Sequence, residues 1–142
     1  MQTLKKWVEI YQDKYLKLFS IFLEYEEKTE FQNLAKISDE RKRLLCDKYY
    51  EMFMISCELL KSYLLYCGIC QPTEILVLRQ AFYSEIVSDG QKWINLLFLF
   101  QKYNKEKSKK NIKDVLKHMN KMYFKIFKQL NSYIQEEIKA GF

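Results

Sequence analysis

The stretch from residue 44 to residue 69 carries its apolar residues on two adjacent helical tracks. One track is Leu45, Tyr49, Met52, Ser56, Leu59, Tyr63 and Tyr66, and the other is Cys46, Tyr50, Phe53, Cys57, Leu60, Leu64 and Cys67. Each track steps by alternating intervals of four and three residues, which keeps its members on one face of an α-helix. Two tracks make the apolar arc wider than that of a helix lying on a surface, so the pattern predicts the central helix of a bundle.

Further apolar tracks lie on both sides of this stretch. A first helix is predicted from residue 3 to about residue 29, and a last long helix from Ile112 toward the C-terminus, both with the four-three step. Two shorter helices are expected between them, one opened by Pro72 and one at residues 91–103. A four-three step needs a partner helix, so these segments are expected to pack together.

The composition favours helices over strands. The chain has only three glycines and one proline among 142 residues. Strand-rich folds need many turns, and turns commonly use these two residues. No internal repeat and no second domain is visible. The sequence therefore predicts one domain over residues 1–142, an all-α, up-and-down four-helix-type bundle with one or two short extra helices.

Local signals predict where the helices begin and end. Residues 30–37 lose the apolar pattern and are expected to form a loop. Ser38 is then a suitable N-cap for the central helix, and Gly68 is a suitable residue to follow its C-terminus. Ser88 or Asp89 is expected to cap the next short helix.

The charge is mildly basic. A net charge of +6, with lysine in excess over arginine, does not establish nucleic-acid binding. The N-terminal stretch lacks the uninterrupted apolar region of a signal peptide, and the longest uncharged run, 62–73, is shorter than the roughly 20 residues that a membrane span needs. We therefore expect a soluble, cytoplasmic protein without a membrane partner.

Cysteine chemistry has three alternative interpretations. Cys67 and Cys70 form a C-x-x-C pair, which can be redox-active or can bind zinc. The pair follows a predicted helix C-terminus, where the helix dipole opposes thiolate formation. Zinc would need further ligands at suitable spacing, and His118 is the only histidine. We favour structural cysteines over the redox and metal alternatives and predict no metal and no cofactor.

Residues 102–117 contain seven lysines against Glu106 and Asp114. The simplest interpretation is a solvated loop and helix start. The alternative is a contact for phosphate-bearing ligands or an acidic partner. Tyr103 is the only aromatic residue there, so the stretch is a poor platform for stacking bases.

Residues 44–100 resemble the nucleotidyltransferase substrate-binding proteins, which belong to the wider HEPN group of helical bundles. The residues that carry the resemblance are Lys48-Tyr49, Phe53, Leu59-Leu60-Lys61, Tyr63-Leu64, Gly68-Ile69, Pro72, Leu78-Arg79-Gln80-Ala81-Phe82, Ile86-Val87, Asp89-Gly90 and Trp93. The resemblance implies a helical homodimer that pairs with a small, separate nucleotidyltransferase subunit, often as a toxin–antitoxin-like module.

This chain departs from the HEPN ribonucleases at their active site. Those enzymes use an arginine followed closely by a histidine after the tryptophan of the fourth helix. Here the aligned positions hold Phe100 and Lys105. Tyr50 and Met54 stand where glutamate is typical, and Glu58 where lysine is typical. These differences argue against ribonuclease activity.

The sequence therefore predicts a non-catalytic accessory partner of a nucleotidyltransferase, with no catalytic residue. One alternative is a stand-alone nucleotide-binding or RNA-binding bundle that uses the lysines of residues 102–117. Another is a divergent ribonuclease that uses Lys105, Arg79 or another cation. The expected contact residues for the ligand or partner are Lys48, Lys61, Arg79, Trp93 and Lys105.

Overall fold

Seven α-helices and one π-helical turn make up the part of the chain that this computed structural model describes, residues 2–26, 36–119 and 124–141. In chain order they are α1 (Gln2–Ile10), the π-helical turn (Tyr11–Tyr15), α2 (Leu16–Glu26), α3 (Asp39–Tyr66), α4 (Glu74–Tyr83), α5 (Gly90–Lys105), α6 (Lys109–Met119) and α7 (Phe124–Gly141). No strand occurs in these residues, which confirms the predicted all-α bundle.

The first helical segment comprises α1, the π-helical turn and α2. Its backbone stays in the right-handed helical region on both sides of the turn, at Ile10 and Leu16. The rings of Tyr11 and Tyr15 are buried and stacked, with centroids 5.7 Å apart. The Tyr11 hydroxyl donates to Asn131 Oδ1 at 2.7 Å, and the Tyr15 hydroxyl donates to the Phe127 carbonyl at 2.6 Å. The wide turn thus anchors the first segment to α7.

Side-chain caps begin four of the described helices. The accepting side chains and their backbone donors are Ser38 with Arg41 for α3, Thr73 with Leu76 for α4, Asp89 with Lys92 for α5, and Ser108 with Asn111 for α6. The caps predicted at Ser38 and Asp89 are confirmed. Pro72 precedes the Thr73 cap, so it lies just outside α4. Most of the predicted loop at 30–37 lies outside the described residues.

The central helix ends at Tyr66, and Gly68 follows its C-cap, Cys67, as predicted. Gly68 adopts φ +87°, a left-handed conformation that costs little without a Cβ atom. Its N–H donates to the Leu65 carbonyl at 3.0 Å, and the Ile69 N–H donates to the Leu64 carbonyl at 2.8 Å. These two bonds form a Schellman motif, which satisfies carbonyls left open at a helix end.

The Gly68→Ala substitution tests this helix end. We expect a loss of about 1–2 kcal/mol in the free energy of unfolding, because an L-residue is strained in the left-handed region. No atom lies within 4 Å of a Cβ placed there, so the cost comes from the backbone alone. Urea unfolding measures the stability of this variant and of the control Gly141→Ala. A Cβ at residue 141 also meets no atom within 4 Å, but the backbone φ there is not positive, so only Gly68→Ala should show the cost of backbone strain. Equal stability of both variants would contradict the prediction.

The central helix α3 lies inside the bundle. It packs against α1, the π-helical turn, α4 and α6. Its fully buried side chains include Met52, Phe53, Leu59 and Leu60, which come from both predicted tracks. The buried residues of the described chain form one continuous core from Trp7 to Ile134. The wide apolar arc of the sequence therefore corresponds to burial on several sides.

The predicted last helix corresponds to α6 and α7 in the described part of the chain, and residues 120–123 between them lie outside that part. In α5, Leu96, Leu97 and Phe100 are buried, but Phe98 keeps 51% of its surface exposed. Helix α5 thus combines buried apolar side chains with one exposed ring. Within the described part of the chain, no helix has the length and apolar character needed to cross a membrane.

Candidate functional site

An open groove runs between the first helical segment, α3 and the start of α4. We call it the central groove, and its volume is about 930 Å³. Its apolar lining is Leu18, Ile21, Tyr50, Met54, Ile55, Cys57, Pro72 and Val77. Its charged lining is Lys14, Lys17, Lys48 and Lys61 together with Asp13, Glu51, Glu58 and Glu74. The groove therefore combines an apolar surface with equal numbers of cations and anions.

Exposed ion pairs hold part of the charged lining in place. Lys14 Nζ lies 3.3 Å from Glu58 Oε1 and joins the first segment to α3. Lys48 Nζ lies 3.5 Å from Glu51 Oε2, one turn along α3. Such exposed pairs contribute about 0–1 kcal/mol each, so a partner's charges can replace them at little cost. Lys61 forms no ion pair with any described residue.

The central groove brings together two of the five predicted contact residues. Lys48 and Lys61 both line it, although they are thirteen residues apart on α3. Arg79 is exposed on α4, and Lys105 is exposed at the end of α5, and neither lines the groove. Trp93 is 0% exposed and packs against the rings of Phe53 and Phe127, with centroids 6.1 and 5.2 Å away. Its ring belongs to the core.

The position aligned with the HEPN catalytic arginine is also internal. Phe100 is buried beside Phe53, with ring centroids 5.3 Å apart. Lys105 lies fifteen residues after Gly90, at the far end of α5. Arg79 belongs to α4, which precedes Gly90. The Phe100 ring is thus part of the core.

The first helical segment supplies charges that sequence reasoning missed. Lys14 and Lys17 line the central groove opposite α3, yet neither was among the predicted contact residues. Their spacing of three residues places them on one helical face, and this was the available signal. Nothing in the local sequence shows that this face crosses α3 beside Lys48 and Lys61.

A smaller cleft of about 380 Å³ lies between α5 and α6. The exposed ring of Phe98 lines it with Lys102 and His118. His118 Nδ1 lies 2.7 Å from the carbonyl oxygen of Asp114, an accepting atom, so Nδ1 carries a proton in this contact. The imidazole is thereby oriented by a carbonyl of its own helix.

A buried hydroxyl connects the lysine-rich stretch to the central helix. The Tyr103 hydroxyl donates to Asp47 Oδ1 at 2.5 Å, and Lys107 Nζ donates to the same oxygen at 3.0 Å. Burial alone would raise the pKa of Asp47. The hydrogen bonds from Tyr103 and Lys107 and the positive charges of Lys107 and Arg43 together outweigh burial, so the pKa of Asp47 is lowered. Lys107 is therefore part of a structural contact, unlike a fully solvated lysine.

The four cysteines divide into two environments. Cys46 and Cys57 are buried, and Cys67 and Cys70 are exposed. Burial, with the nearby charge of Asp47, raises the pKa of Cys46 to about 12, and burial raises the pKa of Cys57 as well. Among the described residues, no three His, Cys, Asp or Glu side chains are grouped closely enough to hold a metal ion.

Thiol labelling tests this division. In the folded protein under reducing conditions we expect maleimide to modify Cys67 and Cys70 rapidly, since both are exposed. Cys46 and Cys57 should react only as fast as the bundle opens, because they are buried and protonated at neutral pH. Intact-mass spectrometry should show two fast modifications, and four in denaturant. Four fast modifications in native buffer would contradict the described burial.

Within the part of the chain that the structure describes, Cys57 is the one cysteine among the residues that line the central groove, and no histidine is among them. The Cys57 thiol is buried, and burial together with the nearby charge of Glu74 raises its pKa, so little thiolate forms in this groove at neutral pH. Two of its carboxylates, those of Glu51 and Glu58, are in ion pairs with lysines. No cysteine–histidine or serine–histidine pair occurs among the described residues that line the groove. In comparisons with known proteins, no family model matches this chain, and no curated protein is significantly similar to it.

Proposed function

We propose that this chain is a non-catalytic accessory bundle that binds a small nucleotidyltransferase through the central groove. One observation carries the proposal. Lys48 and Lys61, two contact residues expected from the resemblance, line the same groove with an apolar surface between them. The two other lysines of the groove come from the first helical segment, so the site requires the folded bundle.

The charges of the central groove favour a protein partner. Its four lysines are balanced by four carboxylates, so a polyphosphate or a nucleic acid gains little net attraction. An apolar floor with charges of both signs on its rim suits an amphipathic helix, which places its apolar face in the groove and pairs its flanking charges with the rim. This supports an accessory role over RNA binding at this site.

The resemblance also implies a homodimer, and we include it in the proposal. Large apolar side chains on α4 and α5 remain exposed, namely Leu76, Phe82, Tyr83 and Phe98. Exposed apolar side chains of this kind, and aromatic rings in particular, are enriched where protein surfaces associate. In the proposed assembly a second copy of this chain covers them, and the central groove stays available for the nucleotidyltransferase.

A reconstitution experiment tests the proposed function. The tagged chain is used to isolate its partner from the native host, and the partner is identified by mass spectrometry. The two purified proteins are then mixed, and light scattering measures the mass of the complex. We expect a nucleotidyltransferase bound to a dimeric bundle in a fixed ratio. Binding of no transferase, or cleavage of RNA by the purified chain alone, would contradict the proposal.

Charge reversal shows whether the central groove is the contact. We expect Lys48→Glu/Lys61→Glu to weaken binding at least about tenfold, since like charges brought together at an interface cost several kcal/mol. Lys110→Glu/Lys125→Glu makes the same change in net charge at exposed positions outside the groove and should change binding less than about twofold. Equal losses of binding for the two variants would show that net charge alone causes the effect. That result would contradict the proposal that the partner binds at the central groove.

A further inference from the structure

A second surface differs from the central groove in its charge. Helix α6 places Lys109, Lys113 and Lys117 in one row at intervals of four residues. Ile112 and Leu116 form an adjacent aliphatic row with the same interval. Both rows line a cleft of about 480 Å³ between α6 and the start of α3. We call this surface the basic cleft.

The start of α3 supplies the other wall of the basic cleft. Asp39 lies 4.0 Å from Lys42 Nζ and 4.0 Å from Lys109 Nζ, so one carboxylate is shared between two ammonium groups. Lys113 and Lys117 form no ion pair with any described residue. The cleft therefore holds four lysines against one acid, whereas the charges of the central groove balance.

The chemistry of the lining limits the occupant. Within the described part of the chain, the cleft is lined by no aromatic ring and no arginine, the groups that stack on bases and grip phosphates. Its aliphatic row is recessed, with Leu116 buried and Ile112 partly buried. A membrane-binding surface would instead present protruding apolar side chains. Excess positive charge beside a recessed aliphatic row fits an acidic polypeptide with apolar anchors.

The spacing indicates the form of that polypeptide. Successive lysines of the row are separated by about 6 Å along the helix axis, and α6 is about 16 Å long at 1.5 Å per residue. A helix with acidic residues at the same four-residue interval presents its charges at the same spacing. We propose that the basic cleft binds an acidic amphipathic helix of a partner protein, with its acidic row on Lys109, Lys113 and Lys117 and its apolar row on Ile112 and Leu116.

This inference is independent of the proposed function, because the two surfaces share no lining residue. A transferase can occupy the central groove whether or not the basic cleft binds a helix. Reversing Lys48 and Lys61 tests one site, and reversing Lys113 and Lys117 tests the other. Failure of either proposal is therefore distinguishable from failure of the other.

A designed peptide serves as the probe. It is a labelled helical peptide with glutamate at three positions four residues apart and leucine in the adjacent row, and fluorescence anisotropy measures its binding to the full chain. We expect saturable binding that weakens as salt rises. Lys113→Glu/Lys117→Glu should raise the Kd at least about tenfold, and the same reversal at Lys6 and Lys125, both exposed outside the cleft, less than about twofold.

Three further probes decide the chemistry of the occupant. A scrambled peptide of the same composition should bind at least about fivefold more weakly, because its charges no longer match the lysine row. A single-stranded RNA and vesicles rich in phosphatidylserine should bind more weakly than the designed peptide. Equal binding of the scrambled peptide, or tighter binding of RNA or vesicles, would overturn the proposal. Thermal unfolding of each variant confirms that it is folded.

Discussion

Replacing Trp93 with alanine is expected to lower the free energy of unfolding by about 3–5 kcal/mol, a large share of the stability of a domain. The indole is completely buried, and Phe53 and Phe127 pack against it from α3 and α7. Alanine would leave a cavity where three helices meet, and the surrounding rings can close only part of it. Urea denaturation followed by circular dichroism measures the loss.

Two variants of α5 make this result interpretable. Phe98→Ala removes a ring that is 51% exposed, so we expect a loss below about 1 kcal/mol from the same helix. Trp93→Phe keeps a ring in the core and removes an indole N–H that has no hydrogen-bond partner among the described residues, so it should cost less than Trp93→Ala. If Trp93→Ala unfolded like the wild type and lost only partner binding, the indole would be a surface contact.

Replacing Tyr103 with phenylalanine is expected to cost about 1.5–3 kcal/mol near neutral pH, because it removes a hydrogen bond to a charged carboxylate. In the folded protein the pKa of Asp47 lies below its unfolded value, despite burial, through the bonds from Tyr103 and Lys107 and the charges of Lys107 and Arg43. Because the pKa is lower in the folded state, the ionised carboxylate stabilises the fold at pH values above the unfolded-state pKa of about 3.9. This stabilisation is lost as the pH falls through the folded-state pKa.

The pH dependence distinguishes this explanation from a simple loss of packing. The wild type and Tyr103→Phe should differ most in stability near pH 7, and the difference should shrink below about pH 4 as Asp47 becomes protonated. Asp47→Asn is the control, because an amide does not titrate, and adding Tyr103→Phe to it should cost the same at every pH. A difference between wild type and Tyr103→Phe that stays constant from pH 7 to pH 3 would contradict the role of Asp47.

Sequence reasoning was strongest where a feature depends on neighbouring residues. The caps at Ser38 and Asp89 each use a backbone donor three residues away, and Gly68 ends α3 through bonds within the same turn. The apolar tracks of α3 likewise follow from the helical period alone. Such features can be read from a short window of sequence. They were predicted, and the structure confirms them.

The site depended on contacts between distant parts of the chain. Lys14 reaches Glu58 across 44 residues, and Tyr103 reaches Asp47 across 56 residues. The crossing of two helices determines both contacts, and helical periodicity does not specify that crossing. The π-helical turn at Tyr11–Tyr15 was missed for a related reason. Its tyrosines continue the four-three step, and the bond from the Leu16 N–H to the Tyr11 carbonyl, five residues back, distinguishes the turn from a regular helix.

The anchoring of the π-helical turn on α7 has a consequence for synthesis on the ribosome. Tyr11 and Tyr15 bind residues that are 120 and 112 positions later in the chain. At about 5–20 residues per second, the first segment waits several seconds or more before α7 emerges. During that interval its aromatic face has no α7 to cover it, and it is open to chaperones or to another nascent chain. The contacts of this face with α7 can form only after α7 has been synthesised.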